Sequence, residues 1–128
     1  DINASDNYYP FLDNSSLYYL SISPDSNTKV DFCIKGNAMA DPTSGDTIPL
    51  ASYTWTRSLL INKSNYSDPQ YASFSTSLSL AYITAQTSVG IGNNSYFRFF
   101  LDIPVGQPPG TYNNTLNFKG VANPGPGC

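Results

Sequence analysis

From Phe97 onward every second residue is apolar: Phe97, Phe99, Leu101 and Ile103 fall on one side of an extended chain. Side chains alternate across a strand with period two, so this spacing fits a β-strand with one buried face. Beyond Val105-Gly106-Gln107-Pro108-Pro109-Gly110 a second patterned stretch follows. There Tyr112, Leu116 and Phe118 share one face, while Thr111, Asn113, Thr115, Asn117 and Lys119 share the other. Two such stretches around a Pro/Gly turn predict a β-hairpin over residues 96–121. An apolar inner face and a polar outer face belong to an antiparallel sheet packed on one side only.

The remainder of the chain supports an all-β fold. Ten Tyr and seven Phe supply strand formers, and no Glu is present to favour helices. Ten Pro and nine Gly punctuate 128 residues, the turn rhythm of sandwiches and barrels. That length suits one domain. The expectation is a single antiparallel β-sandwich with seven or eight strands and no helix.

Further strands follow from the same alternation. Residues 17–22 form one, closed by Ser23-Pro24-Asp25. In residues 29–35, Val30, Phe32 and Ile34 point inward and Lys29, Asp31, Cys33 and Lys35 outward. Residues 36–49 read as a loop with room for a short edge pairing. Residues 50–56 form a strand with Tyr53 and Trp55 on one face. Residues 62–69 are a polar loop. Residues 71–76 and 78–84 read as strands or as one long bent strand, with Leu78, Leu80 and Tyr82 in phase. Residues 90–94 are a tight connection.

Ahead of these lies a different kind of segment. In residues 1–13, Ile2, Ala4 and Tyr8 alternate on one side with Asp6 interrupting them, and Phe11 follows Pro10. Pro10 cannot donate to a ladder. The segment reads as an extended arm with sparse anchors, either an ordinary first strand or a strand given to a neighbouring molecule, and residues 14–128 as the sandwich body.

Charge and cysteine content narrow the setting. Six Lys/Arg against nine Asp give a net charge of -3, with no basic cluster of the kind that displaces counterions from nucleic acid. No apolar run reaches the ~20 residues of a membrane span. Cys33 and Cys128 are the two cysteines, and an even count in a weakly charged, Ser/Thr/Asn-rich chain suggests one disulfide. The strand phase puts Cys33 on the outer face, where a tail from residue 121 onward can cross it and be tied down. Asp1 stands first rather than Met, as in a chain released from a precursor or shortened. The expected location is extracellular, at the cell surface, after removal of a signal peptide.

Catalysis is not expected. Without His, the usual general base and the commonest transition-metal ligand are missing. Any carboxylate pair would have to come from scattered Asp, several of them in turns. Asp31, Asp41 and Asp46 are the one grouping that could converge. No metal or other cofactor is expected.

The positive signal is the N-linked glycosylation triplet. Six occur, at Asn3, Asn14, Asn62, Asn65, Asn93 and Asn113, none with Pro in the middle. All fall in expected loops or on polar strand faces, so covalent N-linked glycans are expected. The tyrosines have two uses: core filling, or an exposed aromatic platform for sugars built from Tyr18, Tyr53, Tyr96 and Phe100. The second would make the chain a carbohydrate-binding or adhesive module of a secreted surface protein.

Taken together, the arm, the all-β body, the dense acceptor triplets and the closing run Leu101-Asp102-Ile103-Pro104, with Gly106, Pro108-Pro109-Gly110 and Thr111-Tyr112, resemble the subunits of archaeal threads. Those are glycosylated cell-surface filaments with type-1-pilin-like, donor-strand-complemented subunits. The resemblance implies an Ig-like, pilin-like sandwich that polymerises head to tail. It implies copies of the same chain as partners, with roles in adhesion to surfaces or other filaments and in biofilm. Carried over, residues 1–13 are the donor strand and Ile2, Ala4, Tyr8 and Phe11 its anchors.

Overall fold

The computed structural model describes residues 18–58 and 76–128. Nine strands run through them: β1 (Tyr18–Ser21), β2 (Lys29–Gly36), β3 (Met39–Ala40), β4 (Thr47–Ile48), β5 (Tyr53–Ser58), β6 (Thr76–Ser77), β7 (Ile83–Val89), β8 (Asn94–Leu101) and β9 (Leu116–Asn123). A single 3-10 turn, Leu50–Ser52, leads into β5. All pairings are antiparallel.

Two sheets face each other, one ordered β1-β8-β5-β6 and the other β7-β2-β9. β3 and β4 form a small separate ribbon. The period-two alternation explains why the sheets face: Trp55 on β5 and Phe97 on β8 meet Phe32 and Ile34 on β2 and Ala85 and Val89 on β7. Phe97 and Ile34 are almost fully buried. Burying an aliphatic or aromatic side chain of this size stabilises the fold by about 1.5–3 kcal/mol each. The fold is therefore the all-β sandwich that the alternation predicts.

The connectivity differs from the expected hairpin. β8 and β9 belong to opposite sheets, and β9 pairs with β2 over eight unbroken register positions, Lys29↔Asn123 to Gly36↔Leu116. Their inner faces oppose each other across the core, with the Phe97 and Phe118 rings 5.5 Å apart. Alternation fixes which face is inward but not which strand lies alongside. The linking segment also has its own structure. Gln107 donates its backbone N–H to Pro104, the Tyr112 hydroxyl donates to the Pro108 carbonyl, and Asn113 bridges Ala40. Tyr112 is thus a loop residue, not a core-facing strand residue, and the last strand starts at Leu116 rather than at residue 111.

A second difference lies at residues 78–84. Leu78 is buried, but Leu80 is 73 % exposed and the strand begins only at Ile83. The Ser79 hydroxyl accepts from the Ala81 N–H at 3.2 Å, and the Ser79 carbonyl accepts from Gly36 N–H. This serine-centred turn breaks the extended run. β7 itself then carries register shifts against β2, and Ser88 adopts a φ of 52°. An extra residue opposite a regular partner strand is a bulge, which twists an edge strand away from further pairing.

Candidate functional site

The anchors Ile2, Ala4, Tyr8 and Phe11 and the acceptors Asn3, Asn14, Asn62 and Asn65 lie outside the described residues. Within them are Cys33, Cys128, Asn93 and Asn113, together with the flank of the sandwich formed by β9.

Cys33 and Cys128 form a disulfide with their Cα atoms 5.6 Å apart. Cys33 is fully buried although it faces away from the core cluster. The cover comes from the tail. After β9 ends at Asn123 the chain reverses through Gly125, where a Cβ would collide with the carbonyl of Ala122. The tail then brings Cys128 back over β9 to its neighbour β2, and Lys119 donates its ammonium to the Cys128 carbonyl at 3.4 Å. The expected outer-face disulfide is present, and the crossing segment starts after Asn123 because residues 121–123 still belong to the strand.

Along β9 the burial changes character. On β2 and β7, Ile34, Ala85 and Val89 are fully buried, whereas no residue of β9 is. Leu116 and Phe118 pack on the core yet remain half-buried. Phe99, which meets Phe118 at 6.4 Å, is half-buried too. Unlike β7, β9 has no bulge.

The two acceptor triplets within the described residues are presented differently. Asn113 is exposed, with its backbone fixed by reciprocal bonds to Ala40 at 2.9 Å. Thr115 is also exposed, and its N–H donates to Asn37 Oδ1 at 2.7 Å. Both side chains of this triplet that matter to a transferase face solvent. Asn93 is exposed in its turn, but Ser95, the third residue of its triplet, is fully buried with its hydroxyl inside the protein. In the folded chain the acceptor at Asn93 is only half presented.

Asp41 holds the loops at the far end of the sandwich. It is 6 % exposed, and its carboxylate accepts backbone N–H bonds from Thr43 at 2.7 Å, Ser44 at 3.4 Å and Thr111 at 3.0 Å. The Thr43 bond is the main cause that lowers its pKa below the usual 3.8, with desolvation opposing it. Gly110 allows this approach, since a Cβ there would strike the Asp41 carboxylate. Asp31 works elsewhere, accepting from Ser88 N–H and the Asn123 amide. Among the described residues no group of three or more His, Cys, Asp or Glu is placed to hold a metal ion.

The aromatic residues are split between the two faces. Tyr53 packs on the core beside Phe99 at 5.8 Å, and burial raises its phenol pKa. It therefore cannot share a surface platform with Tyr96. The exposed partner of Tyr96 is Tyr19, 5.9 Å away, and the Asn94 amide donates to the Tyr96 hydroxyl.

These features define a single-disulfide, all-β sandwich. No described helix is long and apolar enough to cross a membrane. No family model, curated protein or solved structure matches the chain.

Proposed function

We propose that this protein is the structural subunit of an extracellular cell-surface filament, a pilus-like or thread-like polymer built head to tail by donor-strand complementation. Residues 1–13 of one copy lie along β9 of the next. Ile2, Ala4, Tyr8 and Phe11 are the donor anchors, and the apolar flank around Leu116 and Phe118 receives them. The observation that supports this assignment is that Leu116 and Phe118 on β9 pack on the core while remaining half-buried. β9 is 8 residues long and regular in register, and residues 1–13 are long enough to run its full length.

Strand addition uses main-chain bonds for affinity and alternate side chains for specificity. Each large anchor that becomes buried contributes about 1.5–3 kcal/mol. The contact is heterologous, so repetition gives an open filament rather than a closed ring. Asp6 shares the phase of the anchors and marks the polar position of the arm. The chain acts as building material and not as a catalyst, it carries N-linked glycans, and its partners are copies of itself. Adhesion and biofilm formation are the roles such a polymer serves.

Electron microscopy of native material tests the proposal, with filaments as the expected result. Deleting residues 1–13 should abolish them, and a synthetic peptide of those residues should bind the truncated protein and raise its melting temperature. Filaments that still form after the deletion would sink the donor-strand mechanism.

A further inference from the structure

On the outer face of the β7-β2-β9 sheet two ammonium groups converge on one ring. Lys35 and Lys119 each lie 4.7 Å from the centroid of Tyr82. The chain has only six Lys/Arg in all, and two of them meet here. Lys119 also donates to the Cys128 carbonyl, and among the described residues no side-chain carboxylate pairs with either lysine. Tyr82 attracts each cation through its ring face, but it does not cancel the charge. An anion beside Lys35 would offset the charge that the ring leaves in place.

A cleft of about 230 Å³ opens beside Lys35. Asn37, Leu80, Thr115 and Asn117 line it together with Lys35 and Gly36. Asn37 is held in place by the bond from Thr115 N–H to its Oδ1. Leu80 is 73 % exposed, so its side chain is accessible to a ligand in the cleft. Amides and a hydroxyl suit the hydroxyl groups of a sugar, the aliphatic Leu80 suits its C–H face, and the Lys35 ammonium suits an acidic substituent.

We propose that this cleft binds an acidic saccharide, one bearing a carboxylate or sulfate. Thr115 is both a wall of the cleft and the third residue of the acceptor triplet at Asn113. The sugar has two possible sources with the same chemistry: the glycan on Asn113 of the same chain, or a glycan on another molecule. The site is built from the residues of a single chain.

The test is an amide-shift titration of the full chain, made without glycans and with its disulfide formed. The probes are a glucuronate-containing tetrasaccharide, neutral cellotetraose and a hexa-aspartate peptide. The acidic tetrasaccharide should shift Asn37, Leu80, Thr115 and Asn117. Lys35→Met should weaken it about fivefold, the effect of one screened charge, and Lys119→Met, outside the lining, should weaken it less. Leu80→Asn should weaken it without altering its salt dependence. Preserved dispersion of the remaining resonances shows that each variant is folded. Equal binding of cellotetraose, tighter binding of the peptide, or no shift at these residues overturns the proposal. With native glycosylated protein, a cleft that takes the probe only after Asn113→Gln supports the chain's own glycan as occupant. A cleft that takes it without that change supports a glycan from another molecule.

Discussion

Phe97 and Phe118, on strands that follow one another in the chain, meet ring to ring at 5.5 Å from opposite sheets. Their contact is a rivet through the sandwich and not a cross-strand pair. Phe97 is almost fully buried and Phe118 half-buried, so equal truncations should have unequal costs. Phe97→Ala should lose about 3–5 kcal/mol and Phe118→Ala less. Denaturant titration of the two single variants and the double variant checks this, and the double variant should show a coupling of at least ~0.5 kcal/mol.

The disulfide closes a loop with a sequence separation of 95. In the chain-entropy model such a loop stabilises the fold by about 4–5 kcal/mol, an upper figure for a real protein. Replacing both cysteines by serine should lower the denaturation midpoint while leaving the β circular-dichroism signal intact below it. Because Cys33 is fully buried, reduction of the wild type should be slow in native buffer. It should accelerate sharply when mild denaturant opens the tail.

Asp41 predicts an acid-sensitive component of stability. Its folded pKa is lowered, so the carboxylate contributes fully above the unfolded value of about 3.9. That contribution is lost as pH falls through the lower folded value. Asp41→Asn should remove this part of the pH dependence and destabilise the protein at neutral pH. The check is a set of melting temperatures from neutral pH down to strong acid, in which the wild-type and variant curves should converge at the acid end.

Asn113 and Asn93 should differ in when they accept a glycan. Given folded protein, an N-glycosyltransferase should modify Asn113, and Thr115→Ala should stop it. Asn93 should be modified only in chains glycosylated before they fold, because Ser95 is fully buried afterwards. Glycopeptide mass spectrometry after in vitro modification of folded and of reduced, unfolded protein separates the two.

Much of this architecture follows from alternation alone. The inward sets on β2, β5 and β8 follow from side-chain phase, and the same phase put Cys33 on the outer face. Neighbour relations do not follow from it, which is why β8 and β9 read as a hairpin. β7 was hidden because Ala85-Gln86-Thr87-Ser88 looks polar. Its bulge lets Ala85 and Gln86 both be buried in succession, and Gln86 accepts from Arg57 at 2.7 Å. The burial of Ser95 did have a signal: carrying the phase of Phe97 two residues back places it inward. Asp41 had one too, since Asp-Pro-Thr-Ser is a turn in which an Asp side chain holds the following backbone. The lysine pair around Tyr82 had none, because it depends on which strands are neighbours.

The bridge from Cys128 to Cys33 also changes how the molecule carries mechanical load. A pull applied at the tail would ordinarily peel β9 from β2 one hydrogen bond after another. Here the force passes through the sulfurs into the middle of β2, so β9 lies off the loaded path. β2 is paired with β7 on one side and β9 on the other, so a load entering at Cys33 meets two ladders of hydrogen bonds instead of one.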